Sequence, residues 1–109
     1  MATARVVLSE PATNDLDGIW DYLAQEASEE TADFVIARLY EAMYRAAETP
    51  SLYRVRSEHK GAPRRINIFS YAVFYDPLDT GDGIFVWRVL HGARDLTQLV
   101  HRPMLPKGR

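Results

Sequence analysis

The sequence predicts an α+β domain: an N-terminal strand, an αα-hairpin, then a three-stranded antiparallel meander, with the helices packed on one face of a small sheet. Three observations predict it. Apolar residues recur every three or four positions over 10–48, the period of two amphipathic helices. Short β-branched and aromatic runs, separated by turn residues, fill 64–90. The chain has 109 residues and no cysteine, which suits one modest core without a disulfide.

Arg5-Val6-Val7-Leu8 is the first strand, and Ser9 ends it. Ser9 is a natural helix cap, with Pro11 tolerated in the first turn because no backbone donor is needed there. Leu16, Ile19, Trp20, Leu23 and Ala27 form the apolar stripe of the first helix, and Asp15, Asp17, Asp21 and Glu26 its wet face. Gly18 interrupts this helix at a cost of about 1 kcal/mol relative to alanine. Its missing Cβ is expected to let something pack closely. Ser28 begins the second helix, with Glu29 and Glu30 at the positive end of its dipole. Its stripe is Ala32, Val35, Ile36, Leu39, Met43, Ala46 and Ala47, and Thr49-Pro50 closes it. Phe34, Tyr40 and Tyr44 fall off the centre of that stripe, as core edge or as a grip for a partner.

Residues 50–63 are expected to form a loop. Ile66 and Ile68 alternate with Asn67, a turn lies near Phe69-Ser70, and a strand runs through Tyr71–Tyr75. The segment 76–83 is a turn by composition, and Ile84–Leu90 is the last long strand. A short helical pattern follows at Leu96, Leu99 and Val100. The expected organisation is one domain over 1–109, ordered over about 4–100, with 101–109 a loosely held tail. The sheet face away from the helices is expected to be partly open, with Arg64, Arg65 or Arg88 reaching it or its rim.

The formal net charge of −2 conceals a polarity along the chain. Residues 1–48 sum to −7 and residues 49–109 to +5, and most cations of the second half are arginines, suited to forked hydrogen bonding. Such asymmetry points to an interaction surface. The acids of the first half are more simply explained as solvating helix faces.

Several classes of function are excluded. Without cysteine there is no thiol catalysis and no thiolate zinc site, and three scattered histidines do not rebuild a metal site. No apolar run approaches the ~20 residues that span a bilayer, and residues 1–8 lack the apolar core of a signal peptide. A cytoplasmic protein without cofactor, metal or membrane contact is expected. Phosphate-binding glycine motifs are absent, since Gly81-Asp82-Gly83 sits in an acidic turn.

There remains a polar set near the end of the last strand: Arg88, His91 and Arg94, with Arg64 and Arg65 on the neighbouring hairpin. Such a set binds an anionic partner or cleaves RNA, with arginine stabilising the phosphorane charge and histidine moving protons. A plainer reading also stands, in which His91-Gly92 is a turn and Arg94 pairs with Asp95 or caps a helix. Residue type alone slightly favours the plainer one.

The segment Arg88-Val89-Leu90-His91-Gly92-Ala93-Arg94-Asp95-Leu96 resembles the C-terminal signature of ParE-type toxins in the RelE/ParE superfamily. Ser9 with Ala12, Asp15-Leu16, Ile19-Trp20-Asp21-Tyr22, Pro50, Arg64-Arg65-Ile66 and Ser70–Tyr75 match in order, so the resemblance spans roughly 4–100. It implies a RelE/ParE-like fold and the toxin of a type II toxin–antitoxin pair, neutralised by a ParD-like antitoxin. Two activities are known in the superfamily, poisoning of DNA gyrase and ribosome-dependent mRNA cleavage. The ribonuclease branch carries an arginine after the tyrosine matched by Tyr71, and a tyrosine on the C-terminal helix. Here those positions are Ala72 and Val100.

The resemblance therefore implies the gyrase-directed branch, acting by binding rather than catalysis and without sequence-specific DNA contact by the toxin alone. Arg88, His91 and Arg94 are the candidates for toxicity, and Trp20, Tyr40, Tyr44 and Arg64 for antitoxin binding. The alternative is a ribosome-dependent mRNA endonuclease using Arg65, Arg94 and His91. A binding module without toxicity is a third reading.

Overall fold

A computed structural model describes residues 4–50 and 63–92. The element order is β1 (Arg5–Leu8), α1 (Glu10–Glu26), α2 (Glu29–Glu48), β2 (Arg64–Ile68), β3 (Tyr71–Pro77) and β4 (Gly83–His91). This is the α+β arrangement that the periodicity predicts. The segments 51–62 and 93–109 lie outside the described residues, and with them Arg94, the helical pattern at 96–100 and the tail.

Both helices start where their sequences say they should. The Ser9 hydroxyl accepts the Ala12 N–H at 3.0 Å, and the Ser28 hydroxyl accepts the Thr31 N–H at 3.0 Å. Each bond satisfies one of the backbone donors that a helix leaves unpaired at its start. The hairpin is closed further on by Trp20, whose indole N–H donates to Asp33 Oδ1 at 2.8 Å.

The sheet order is β1-β4-β3-β2, with β1 parallel to β4 and the other pairs antiparallel. The β2–β3 turn places Phe69 at a φ of 52°, in the left-handed region, and leaves its ring 60% exposed. Leu16, Leu39, Met43, Ile66, Val73, Tyr75, Ile84, Val86 and Val89 belong to the core between helices and sheet.

The face away from the helices is not open as expected. Ala72, Phe74, Phe85, Trp87 and Leu90 form a second buried cluster there, and all five residues Tyr71–Tyr75 are buried. A strand covered on both faces is apolar without alternation. The Trp87 indole N–H is satisfied by Asp76 Oδ2 at 2.7 Å, so this face buries no unpaired indole.

β1 is anchored at its start by Arg5, whose Nε donates to Asp82 Oδ2 at 3.1 Å. Hydrogen bonding from the Thr80 hydroxyl, and then Arg5, holds the Asp82 carboxyl below its ordinary value of 3.8. A carboxyl whose pKa is lower folded than unfolded stabilises above the unfolded value, and loses that contribution as pH falls through the folded one. The effect is small at this exposed site because water and salt screen the pair. Thermal melts between neutral pH and about pH 3 should therefore show a slightly shallower acid loss for Asp82→Asn than for the parent chain.

Candidate functional site

The candidate site is organised by an irregularity in β4. Phe74 pairs with Arg88 while Tyr75 pairs with Val86, so Trp87 is an extra residue on β4 opposite that step. An inserted residue breaks the alternation of side chains and re-aims those beside it. Trp87 and Phe85 point to the outer face and Val86 and Val89 to the helix side. Arg88 is directed toward α1, where its guanidinium meets Asp15.

The N-terminal half of α1 satisfies the groups around this bulge. Ser9 donates its hydroxyl to the Trp87 carbonyl at 2.6 Å, and its backbone N–H to the Val86 carbonyl at 2.9 Å. Further along the helix, Asp15 Oδ2 accepts the Val89 N–H at 2.9 Å. The same carboxylate takes the Arg88 guanidinium in a forked pair, Nε to Oδ2 at 2.8 Å and Nη2 to Oδ1 at 2.9 Å. The pair is largely shielded, with side chains 29% and 14% exposed. Asp15 thus does not belong to the wet face of α1, where its spacing placed it. It fixes the strand that runs on to His91.

His91 closes β4, half-buried, with its ring edge-on to that of Tyr71 at 5.6 Å between centroids. The following Gly92 N–H donates to the Ser70 carbonyl at 2.6 Å, tying the end of β4 to the β2–β3 turn. Between α1 and this end of the sheet lies a cleft of about 290 Å³, lined by Asn14, Asp15, Gly18, Ile19, Tyr22, Tyr71, Val89 and His91. Beyond its chain neighbours and the backbone of its own helix, nothing among the described residues lies within 4 Å of the point where a Gly18 Cβ would stand. The close packing expected at Gly18 is therefore absent, and the position opens onto the cleft.

The other expected site residues are spread over the surface. Arg65 lies on the outer side of the sheet, its guanidinium 5.7 Å from the centre of the Phe74 ring and its Nε donating to Asn67 Oδ1 at 2.7 Å. Arg64 is half-buried on β2. Trp20 is occupied by Asp33, and Tyr40 packs against the helix–sheet core. Tyr44 is 48% exposed. Phe34, 54% exposed, meets the Phe69 ring at 6.3 Å and lies under the Arg38 guanidinium at 5.2 Å. The structure therefore brings Arg88 and His91 onto one strand end beside α1, while Arg65 faces the opposite side of the sheet. Among the described residues no group of three acidic or histidine side chains is placed to hold a metal ion. No described helix is long and apolar enough to cross a membrane.

A two-helix hairpin on a four-stranded mixed sheet is a fold that solved structures share. The chain superposes on "Chromosomal ParDE TA system from P. aeruginosa" with a TM-score of 0.67 at 15% identity, covering 82% of this chain and 96% of that one. It superposes on a mutant of the E. coli toxin RelE in the free state with a TM-score of 0.59 at 14% identity, covering 91% and 95%. Sequence narrows the class. The family model "ParE toxin of type II toxin-antitoxin system, parDE" matches residues 6–96. Toxin ParE1 of Mycobacterium tuberculosis, in strains CDC 1551 and H37Rv, is 33% identical over 95 residues, covering 86% of this chain and 95% of the relative. The chain belongs to the ParE family of type II toxins.

Proposed function

We propose that this toxin acts in the cytoplasm by binding DNA gyrase, and that a ParD-like antitoxin neutralises it. The observation that carries the gyrase reading is at Ala72. The resemblance to the ribonuclease branch requires an arginine at this position, and here a methyl group lies fully buried in the outer-face cluster. A phosphodiester-cleaving site lacking a charged group next to the reacting phosphate loses its main source of transition-state stabilisation. Val100, at the position of the branch's tyrosine, supplies no proton-transfer group either.

In this reading the target meets the end of β4 and the residues just beyond it. His91 and Arg94 make the contact, and Arg88, held by Asp15, sets the strand that presents them. The antitoxin lies over the αα-hairpin, using the exposed Tyr44 and the flank of Tyr40, with Trp20 and Arg64 at its borders. Neither role needs a cofactor. Expression without the antitoxin should arrest growth, co-expression should restore it, and purified toxin should block supercoiling by gyrase.

The second reading, an mRNA endonuclease using Arg65, Arg94 and His91, draws on the likeness to the RelE structure. It predicts new cleavage sites in ribosome-bound message that vanish in Arg94→Ala. Arg65 and His91 stand on opposite sides of the sheet, which disfavours a joint site.

A further inference from the structure

We infer that the cleft beside Gly18 is a socket for one apolar side chain of the antitoxin, presented by a segment that carries Lys or Arg within a helical turn of it. The socket rests on the antitoxin reading and names the contact within it.

Four observations converge on the socket. A glycine inside a helix is unfavourable, so its presence calls for a use, and here nothing among the described residues beyond its chain neighbours and the helix's own backbone lies within 4 Å of the absent Cβ. The space it leaves belongs to the cleft of about 290 Å³, which has room for a side chain the size of leucine or methionine. The floor is apolar at Ile19, Tyr71 and Val89, each buried, while Asn14, Asp15, the exposed Tyr22 and the half-buried His91 supply a polar rim. Lastly, the solvent side of Gly18 is acidic. Asp21, three residues on, and Asp17 are exposed and form no ion pair among the described residues, whereas Asp15 on the sheet side is taken by Arg88.

This charge arrangement selects the occupant. An apolar anchor in the socket places the next turn of its own segment over Asp17 and Asp21, where a cation is favoured and a carboxylate repelled. A second toxin molecule offering α1 would bring like charges together.

The test compares the parent toxin with Gly18→Leu, Gly18→Ala and the pair Asp17→Asn with Asp21→Asn, each titrated with the cognate ParD-like antitoxin. Gly18→Leu fills the socket from inside and should weaken binding about 30-fold, the scale of losing one anchor residue. Its melting temperature should not fall, because helix propensity rises and the added atoms enter open space. Gly18→Ala should melt higher than the parent and bind more weakly by a smaller factor. The Asp17→Asn and Asp21→Asn pair should slow association and flatten its salt dependence. Parent-like binding by Gly18→Leu overturns the socket while leaving the antitoxin reading intact. Absence of a complex with the parent overturns both. A toxin self-association that Gly18→Leu abolishes assigns the cleft to a second copy and overturns the inference.

Discussion

Asp15→Ala should lower the melting temperature by more than about 10 °C, the consequence of losing about 3 kcal/mol in a domain of this size. One carboxylate serves two partners at the β4 bulge: the Arg88 guanidinium, in a forked pair at 2.8 and 2.9 Å, and the Val89 N–H at 2.9 Å. Removing it takes the forked pair from a part-buried cation and the acceptor from the Val89 N–H together, so the cost of shielding both groups is no longer offset there. The loss should exceed that of Arg88→Met, which removes the cation and leaves the carboxylate on Val89. A double-mutant cycle between the two sites should return a coupling of about 2 kcal/mol. Equilibrium denaturation of the four proteins gives the answer. A loss under about 1 kcal/mol for Asp15→Ala would mean that α1 does not hold the strand.

Gly83→Ala should destabilise by about 3 kcal/mol, at the upper end of the usual cost of overpacking. Its Cβ would overlap the Arg5 carbonyl oxygen and stand 2.8 Å from both the carbonyl carbon and the nitrogen of Arg5. These are backbone atoms of the paired strand, so no rotamer change relieves the clash. β1 must move away from β4, breaking the parallel register of Arg5 with Gly83 and Val6 with Ile84. Urea unfolding should show the loss, and amide exchange should locate it, with Val6, Val7 and Leu8 losing protection before the β3–β4 pair. Unchanged exchange in β1 would contradict the β1–β4 contact.

The sequence discloses the helices and the meander because their signals are local. Ser9 and Ser28 are caps whose hydroxyls need only the next turn, and the stripes of α1 and α2 repeat often enough to define a face. The Phe69-Ser70 turn follows from its place between two β-branched and aromatic runs. The partner of β1 is not local: only Gly83, across the sheet, bears a trace of the close approach.

The second buried face did leave a signal, since Tyr71–Tyr75 is apolar without a break, yet a hairpin reading treats such a run as one-sided. The bulge at Trp87 leaves none, because Ile84–Leu90 carries no turn residue to mark the inserted position. Asp15 is hidden by its helical phase. It lies one residue before the buried Leu16, at the border between wet face and core, and only the position of β4 decides which side it joins.

The surface assigned to the target combines a strand end that the structure describes with Arg94 beyond it, so its meaning depends on the molecule the toxin binds. The direct measurement is supercoiling of relaxed plasmid by purified gyrase in the presence of this toxin, with and without its antitoxin. Toxin alone should block supercoiling and trap cleaved DNA, Arg94→Ala should lose the effect while keeping its melting temperature, and the antitoxin should abolish it. Full supercoiling at saturating parent toxin, from a preparation that still arrests growth when expressed, would contradict gyrase as the target.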